Sequence, residues 1–577
     1  MSKKSVWLFL CLLLPFINSA QAIAVAVDDD DVVVKAMKDE MERSLTRLKL
    51  DGHAPPYFLS YDTSESDRVD MIASLGAMVT RNRNHWRSID PTLRVGSYVF
   101  DNSKFIGDAS NSWSQSTLPI DNNYEAMRRK LWLSTDTDYK KAVEVLEEKR
   151  AHLKRNNIDD KLDDFSKEEP EISLESRRRL KIDEQIWSER IKKLSSIFRE
   201  YPAIQLSTAN LKVNLCNRNF VSSEGTRIGE VTEDWVIVLA ASTQSKDGER
   251  IKDIEVIAGH KESDLPSMES MEQKARLLAD RLTTIQNAPV IEDYDGPVLF
   301  EGQAAAQFME QVLCENLASQ PESITAGYSQ ARTTSLAEKI GRKILPRALT
   351  VVDDPFAREL DGQALFGCYT FDSQGVRSRR VILIAKGVLK SLCTDRTPTK
   401  YSQHSNGHSN GFSGSSSIVF IQSDSKKTDA DLLERGKELA LEAELPYFLI
   451  VKRMLDPNAK TMLVLPDATV SDLLSISESS INLAKPVCLV KHWVDTGKEE
   501  IVRSARFEPV NIRILKDIEM VGGDSKPSLM GRGADSYTHL ICPSFLVKSM
   551  EVDKDNGQRD KVPILESPAI SSTESKQ

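Results

Sequence analysis

Residues 295–313 read DGPVLFEGQAAAQFMEQVL. Val298-Leu299-Phe300 is a short apolar run behind the turn formers Asp295-Gly296-Pro297, which predicts a buried strand. The alanines that follow open a helix. On a wheel of about 100° per residue, Phe308, Met309, Val312, Leu313 and Leu317 share one broad arc, interrupted only by Asn316. Glu310, Gln311, Cys314 and Glu315 occupy the opposite arc, so the helix is expected to be amphipathic with a polar outer face. Strand and helix together open the second half of an α+β chain.

Working outward, APVIEDYDGP at 288–297 has the turn formers of a domain junction. Before it, VVVKAMKDEMERSLTRL (32–48) has helical spacing, and strands with turns follow from Pro55 to Asp101. A charged helical insertion over about 136–200 reads as a pair of solvated helices. Strands resume from Ala203, and MESMEQKARLLADRLTTIQNA closes this half as a helix. Beyond the junction, the apolar runs are mainly strands. The expected fold class is α+β: an N-terminal helix-and-sheet region (23–295), a mainly antiparallel, sheet-rich C-terminal domain (296–553), and a polar, disordered tail (554–577).

The totals agree with a globular protein. A chain of 577 residues exceeds one core, and 40% hydrophobic with 28% charged residues is ordinary. The net charge of -10 excludes a nucleic-acid partner on electrostatic grounds. Lys3 and Lys4 precede the apolar run VWLFLCLLLPFI and a small-residue site ending at Ala22, the pattern of a signal peptide over 1–22. The expected location is therefore exported, periplasmic or extracellular, with no membrane span in the mature chain. Cys216, Cys314, Cys368, Cys393, Cys488 and Cys542 are scattered, with no zinc-ribbon spacing and no pairing that sequence assigns.

Several stretches, taken in order, resemble the TldD/PmbA (modulator of DNA gyrase) family of metallopeptidases. They are FLSY (58–61), SSEGT (222–226), DGPVLFEGQAAAQFMEQVL, KGVLKSLCTDRTPTKYSQHSNGHSNG (386–411), FEPVNIRILKDIEMVGGD (507–524) and CPSFLVKSMEV (542–552). The resemblance spans about residues 33–553. It implies a helix carrying His-Glu-x-x-x-His in active members, two His ligands for zinc and a Glu general base. Here those positions hold Glu310, Gln311 and Glu315. The family's third ligand, a Cys before the last strand, meets Leu529 or Met530, and Cys542 lies too late to replace it. PmbA-type members lack the motif and associate with TldD-type subunits.

The chemistry of these residues points away from hydrolysis. An amide at Gln311 cannot accept a proton near neutral pH. Glu310 and Glu315 favour a hard divalent cation such as Mg²⁺ or Ca²⁺ over zinc, and five residues separate them by about 140° on a helix. No cofactor is therefore expected, with an oxygen-ligated cation as the alternative. His404, Asn406, Gly407 and His408 fall in a Gly/Ser/Asn-rich stretch expected to be a loop, either contacting substrate or anions near a cleft or lying free at the surface. His492 and His539 fall in strands as packing or surface residues. Three readings stand, with peptide or unfolded polypeptide as the expected ligand: a catalytically degenerate peptide-binding or partner subunit, working with a TldD/PmbA-type paralogue or as a homo-oligomer; an active peptidase with an oxygen-rich metal site; and a non-enzymatic envelope binding protein whose cleft is put to another use.

Overall fold

The computed structural model describes residues 31–106, 116–158, 162–319, 324–325, 336–411, 413–456, 481–531, 537–557, 559–563 and 565. The signal peptide, with Ala22, lies outside the described residues. Among them no helix is long and apolar enough to cross a membrane.

The N-terminal half is built on long antiparallel strands. Pro56–Ser74 pairs with Ala77–Val95 on one side and Ile204–Ser222 on the other, and Arg227–Gln244 and Arg250–Gly259 continue the sheet. Four helices pack on it: α1 (Val32–Arg47), α2 (Tyr124–Asn156), α3 (Glu184–Ser196) and α4 (Met268–Gln286). Two cores divide the length of these strands. Val69, Met71, Leu211, Val213, Trp235 and Ile237 pack with α3 and α4, whereas Leu59, Tyr61, Ile89 and Leu93 pack with α1 and α2.

The charged insertion departs from the expectation. It folds as α2 and α3, but the chain between them is not helical and includes the strand Ile172–Leu174, parallel to Arg227–Gly229. Nor are the helices simply solvated. Met127, Leu131, Thr135, Tyr139, Val143 and Leu146 recur at three- and four-residue steps and bury one face of α2.

Among the described residues the C-terminal sheet has eleven strands, with Tyr294–Phe300 and Tyr537–Lys554 adjacent at its centre. It is mainly antiparallel. The exceptions are Tyr294–Phe300 beside Tyr447–Met454 and Val419–Ser423 beside Tyr537–Lys554, which run parallel. The alternation of side chains along a strand decides the layers. Val298, Phe300, Leu449, Val451, Phe545 and Val547 face α5 (Gly302–Val312), while Leu299, Phe448, Ile450 and Leu546 face α6 (Asp429–Glu442). Being covered on both faces, these central strands read as unbroken apolar runs.

The halves interlock. Asp253 and Glu255 of the first sheet meet Arg281 of α4 and Arg453 of the second. Val236, Val238 and Ile254 pack with Phe366 and Tyr537. The tail also differs from the reading of disorder from residue 554. The Asp560 N–H donates to the Gly248 carbonyl at 2.9 Å, and Gln244 Nε2 donates to the Asp560 carbonyl at 3.0 Å. These bonds hold the chain against the N-terminal half through a position that composition alone marks as solvated. Residues 566–577 lie outside the described residues.

Candidate functional site

Helix α5 leaves the strand Tyr294–Phe300 and lays Ala304, Ala305, Phe308, Met309 and Val312 into the core. Phe300, Phe308 and Phe545 pack ring to ring, with Phe308 4.7 Å from Phe300 and 5.3 Å from Phe545. Burying a side chain of this size is worth about 1.5–3 kcal/mol, so the helix is fixed by its apolar arc. The α-helix ends at Val312, and a 3₁₀ turn follows over Cys314–Asn316. Asn316 Nδ2 donates to the Val312 carbonyl at 3.0 Å and occupies an acceptor at the helix end.

The polar arc is not a uniform outer face. Glu310 and Cys314 are buried, Gln311 is half-buried, and only Glu315 is exposed. Gln311 Nε2 donates to the Gln307 carbonyl at 2.9 Å, and its Oε1 accepts the Ala484 N–H at 2.7 Å. Gln307 Oε1 accepts the Met454 N–H at 3.0 Å. The amides of α5 thus hold the backbone at Met454 and Ala484. Zinc does not fit this set: its middle group is a committed amide, and the flanking carboxylates lie one buried on the helix and one exposed beyond its end. Met530, near the place of the expected third ligand, is an apolar member of the same core, and Leu529 packs beside Phe366 and Tyr537. Cys542 is buried there too; desolvation pushes its thiol far up, and Sγ donates to the Pro543 carbonyl.

The histidine loop lies elsewhere and is more ordered than its composition suggests. Asn406 Oδ1 accepts the Thr394 N–H at 2.8 Å, and Nδ2 donates to the Leu392 carbonyl at 2.8 Å, stapling the loop to 392–394. The Gly407 carbonyl accepts from the Tyr369 hydroxyl. His404 is exposed, with Nδ1 3.4 Å from Glu168 Oε1. His408 is wholly buried. Its Nδ1 lies 3.0 Å from the Asn406 carbonyl and its Nε2 3.1 Å from Asp353 Oδ1. Cys393 Sγ stands 3.9 Å from Asp353 Oδ2, and one donor atom of each of the three residues falls within 4.8 Å of the others.

Burial disfavours the His408 imidazolium, but the hydrogen bond and charge of Asp353 outweigh it and raise the ring above its ordinary value. Two more buried carboxylates lie near the loop. Burial raises Asp372, which accepts the N–H groups of Gln374, Val376 and Ser409. Burial also pushes Asp395 up to about 6.

Asn410 and Gly411 at the loop's far end border a cleft of about 400 Å³, lined also by Phe58, Asp62, Asp90 and Arg94. Burial, and then the charge of Asp62, raises Asp90. The cleft therefore joins the two halves of the chain at the loop.

His492 and His539 are both buried. His492 packs on Phe448 at 4.9 Å, and desolvation lowers it. The six cysteines named above are all free thiols. The sequence reading found His408 but not its partners: Asp353 ends the apolar strand Leu349–Asp353, and Cys393 was one thiol among scattered ones.

Comparison with known proteins places these features in a wider group. Residues 293–462 match the family model described as PmbA/TldA metallopeptidase C-terminal domain. A "Metalloprotease" of Methanothermobacter thermautotrophicus is 27% identical over 207 residues, 35% of this chain and 41% of that one. A "Metalloprotease" of Archaeoglobus fulgidus is 23% identical over 133 residues, 23% of this chain and 28% of that one. The matches thus span less than half the length of either relative. Among solved structures, a putative modulator of a DNA gyrase from Thermotoga maritima superposes with a TM-score of 0.56 at 14% identity, covering 89% of this chain and 99% of that one. TldE from Thermococcus kodakarensis gives 0.54 at 13% identity, covering 90% and 100%. At those identities the likeness is one of fold.

Proposed function

The chain belongs to the TldD/PmbA family, and from that premise we propose that it is a metallopeptidase-like member that does not hydrolyse peptides at α5 and serves as a peptide-binding or partner subunit. One observation carries this reading: both ends of the Gln311 amide are spent on backbone groups, at Gln307 and Ala484. A general base must take a proton from water, and this group has no basic atom to offer. Glu315 lies beyond the helix end, and among the described residues no group of three ligand side chains gathers on α5.

The cleft beside Asn410 and Gly411 supports the binding role. It pairs the aromatic wall of Phe58 with the carboxylates of Asp62 and Asp90 and the guanidinium of Arg94. The lining sets apolar residues such as Phe58, Leu93 and Phe165 among a larger share of polar and charged ones, and a groove of that kind suits both the backbone and the side chains of an extended polypeptide. The basic and apolar run before Ala22 supports action outside the cytoplasm. A paralogous subunit of the same family is the partner to seek.

The test uses purified mature chain and fluorescently labelled, unfolded casein, with and without added Zn²⁺. Anisotropy reports binding, and mass spectrometry reports new peptide termini. The expected result is binding with no cleavage. Cleavage that disappears in Glu310→Ala would overturn the reading, because that carboxylate would then be a working ligand.

A further inference from the structure

We propose that Asp353, Cys393 and His408 form a buried site for one divalent cation of zinc's borderline-soft class, separate from α5 and independent of the function proposed above. Asp353 ends the strand Leu349–Asp353, Cys393 follows the short strand Val388–Leu389, and His408 comes from the loop beyond. Three separate backbone segments therefore converge on one point where all three side chains have no solvent exposure.

The imidazole is aimed as a metal ligand is aimed. The Asn406 carbonyl can only accept, so the hydrogen facing it belongs to Nδ1. A ring fixed by Nδ1–H to a backbone carbonyl presents Nε2 to a metal, and such outer bonds are the usual way a ligating imidazole is oriented. Nε2 here faces a carboxylate oxygen at 3.1 Å. Either a second ring proton or a cation must lie between those two atoms.

The spacing fits the cation. With bonds of about 2.0–2.1 Å to N and O and about 2.3 Å to S, the edges of a tetrahedral site run to about 3.3–3.6 Å. The observed separations are 3.1 Å from His408 Nε2 to Asp353 Oδ1 and 3.9 Å from Cys393 Sγ to Asp353 Oδ2, and one donor atom of each residue lies within 4.8 Å of the others. A cation held by both oxygens of the carboxylate, or by one of them after a small rotation of its plane, is within reach of all three side chains. The surroundings hold the donors there. The Ser417 N–H donates to Asp353 Oδ2 at 2.7 Å, and the Ser417 hydroxyl donates to Oδ1. Gly414 lies so close to the Cys393 carbonyl that no Cβ fits between them.

The ligand types choose the metal. Thiolate and imidazole favour zinc over Mg²⁺ or Ca²⁺, which take oxygen ligands. A carboxylate, a thiolate and a neutral imidazole around a dication sum to zero charge, which suits a fully desolvated place. Loading releases the Cys393 thiol proton and the His408 Nε2 proton as the metal–S and metal–N bonds form. Enclosure on all sides marks the role as structural. Cys393 donates its N–H to the Leu317 carbonyl at 2.9 Å and accepts the Ser319 N–H at 2.8 Å, so the metal would pin the chain leaving α5.

The experiment is metal analysis of the purified full mature chain by plasma mass spectrometry, followed by exchange of Co²⁺ into the wild-type protein. The expected result is about one zinc per chain and a thiolate-to-Co²⁺ charge-transfer band in the near ultraviolet. Both should vanish in Cys393→Ser and His408→Gln and persist in Glu310→Ala. Absence of that band in the wild-type protein would overturn the site without reference to any variant. Metal kept in Cys393→Ser but lost in Glu310→Ala would overturn it as well, and would place the ion on α5, against the non-hydrolytic reading. Metal lost from Cys393→Ser alone leaves that reading untouched.

Discussion

Gln311 and Ala484 are 173 positions apart, and the side-chain Oε1 of Gln311 accepts the Ala484 N–H at 2.7 Å. The bond fastens the polar side of α5 to the chain that leads into the strand Pro486–Trp493. Gln311→Ala leaves the Ala484 N–H without this acceptor and should cost about 1–2 kcal/mol. Gln311→Glu keeps an acceptor for Ala484 but loses the donor to Gln307, so its cost should be smaller. Urea unfolding of the three proteins checks the ranking. Equal midpoints for Ala and wild type would show that the bond contributes nothing.

The Asp253 carboxylate has no exposure and meets two guanidinium groups, Arg281 at 2.6 Å and Arg453 at 3.0 Å. Glu255 meets the same two, at 2.8 and 3.2 Å. Burial opposes ionisation of Glu255, but Arg453 and Arg281 hold it below the usual carboxylate range. Removing one member of a buried, closed set strands the others. Asp253→Ala should therefore cost about 3–5 kcal/mol and should loosen the contact between the halves, since Arg453 belongs to the second sheet. Thermal denaturation with limited proteolysis reports both. A Tm within error of wild type would remove this cluster from the account of how the halves hold together.

What the sequence disclosed depended on how local the cause was. The apolar arc of α5 was legible because Ala305, Phe308, Met309 and Val312 keep helical spacing, and the central strands were legible because two-sided burial makes an unbroken apolar run. Burial of Glu310 and Cys314 was not, because distant chain at Met454 and Ala484 covers that side of the helix. The early end of α5 had a local sign in Asn316, the one break in the arc, whose amide takes the Val312 carbonyl. His408 could be placed in a loop, but a ligand set gathered from Asp353, Cys393 and His408 has no fixed spacing to recognise. The α2 stripe was present in the sequence and was outweighed by its charges.

His260 and His539 both pack on Phe366, with ring centroids at 4.5 and 6.3 Å, and their proton affinities are driven apart. The hydrogen bond to Asp234, and then that to Cys368, raise His260 to about 10. Desolvation, and then the charge of His260, lower His539 to about 4. An unfolded His titrates near 6.5. The depressed His539 therefore leaves stability intact above about pH 6.5, and stability is lost as pH falls toward 4, by at most about 3 kcal/mol. The raised His260 acts in the other direction: its contribution is complete below about 6.5 and is lost as pH rises through 10. The Phe366 N–H donates to His539 Nδ1 at 2.8 Å, an acceptor that Asn can imitate. His539→Asn should flatten the fall of Tm between pH 6.5 and 4 relative to wild type. Superimposable acid limbs would rule His539 out as their source.

Arg396, in the Arg-Thr-Pro turn, reaches across to the N-terminal half with its whole guanidinium. Nη1 and Nη2 donate to the two Glu224 oxygens at 2.7 Å each, and Nε and Nη2 donate to the Ser166 carbonyl at 3.0 and 2.6 Å. The plane lies over the Phe165 ring at 3.8 Å. A planar group with donors along both edges satisfies a carboxylate and a carbonyl while stacking on an aromatic face. Lysine keeps the charge but has one nitrogen, which cannot serve Glu224 bidentately and Ser166 together. Arg396→Lys should therefore cost about 2–4 kcal/mol, most of the loss expected for Arg396→Ala. If charge alone mattered, Lys would restore nearly all of the stability lost in Ala. Chemical denaturation of the three proteins separates the cases, and a Lys variant within about 0.5 kcal/mol of wild type would assign the contact to simple charge pairing.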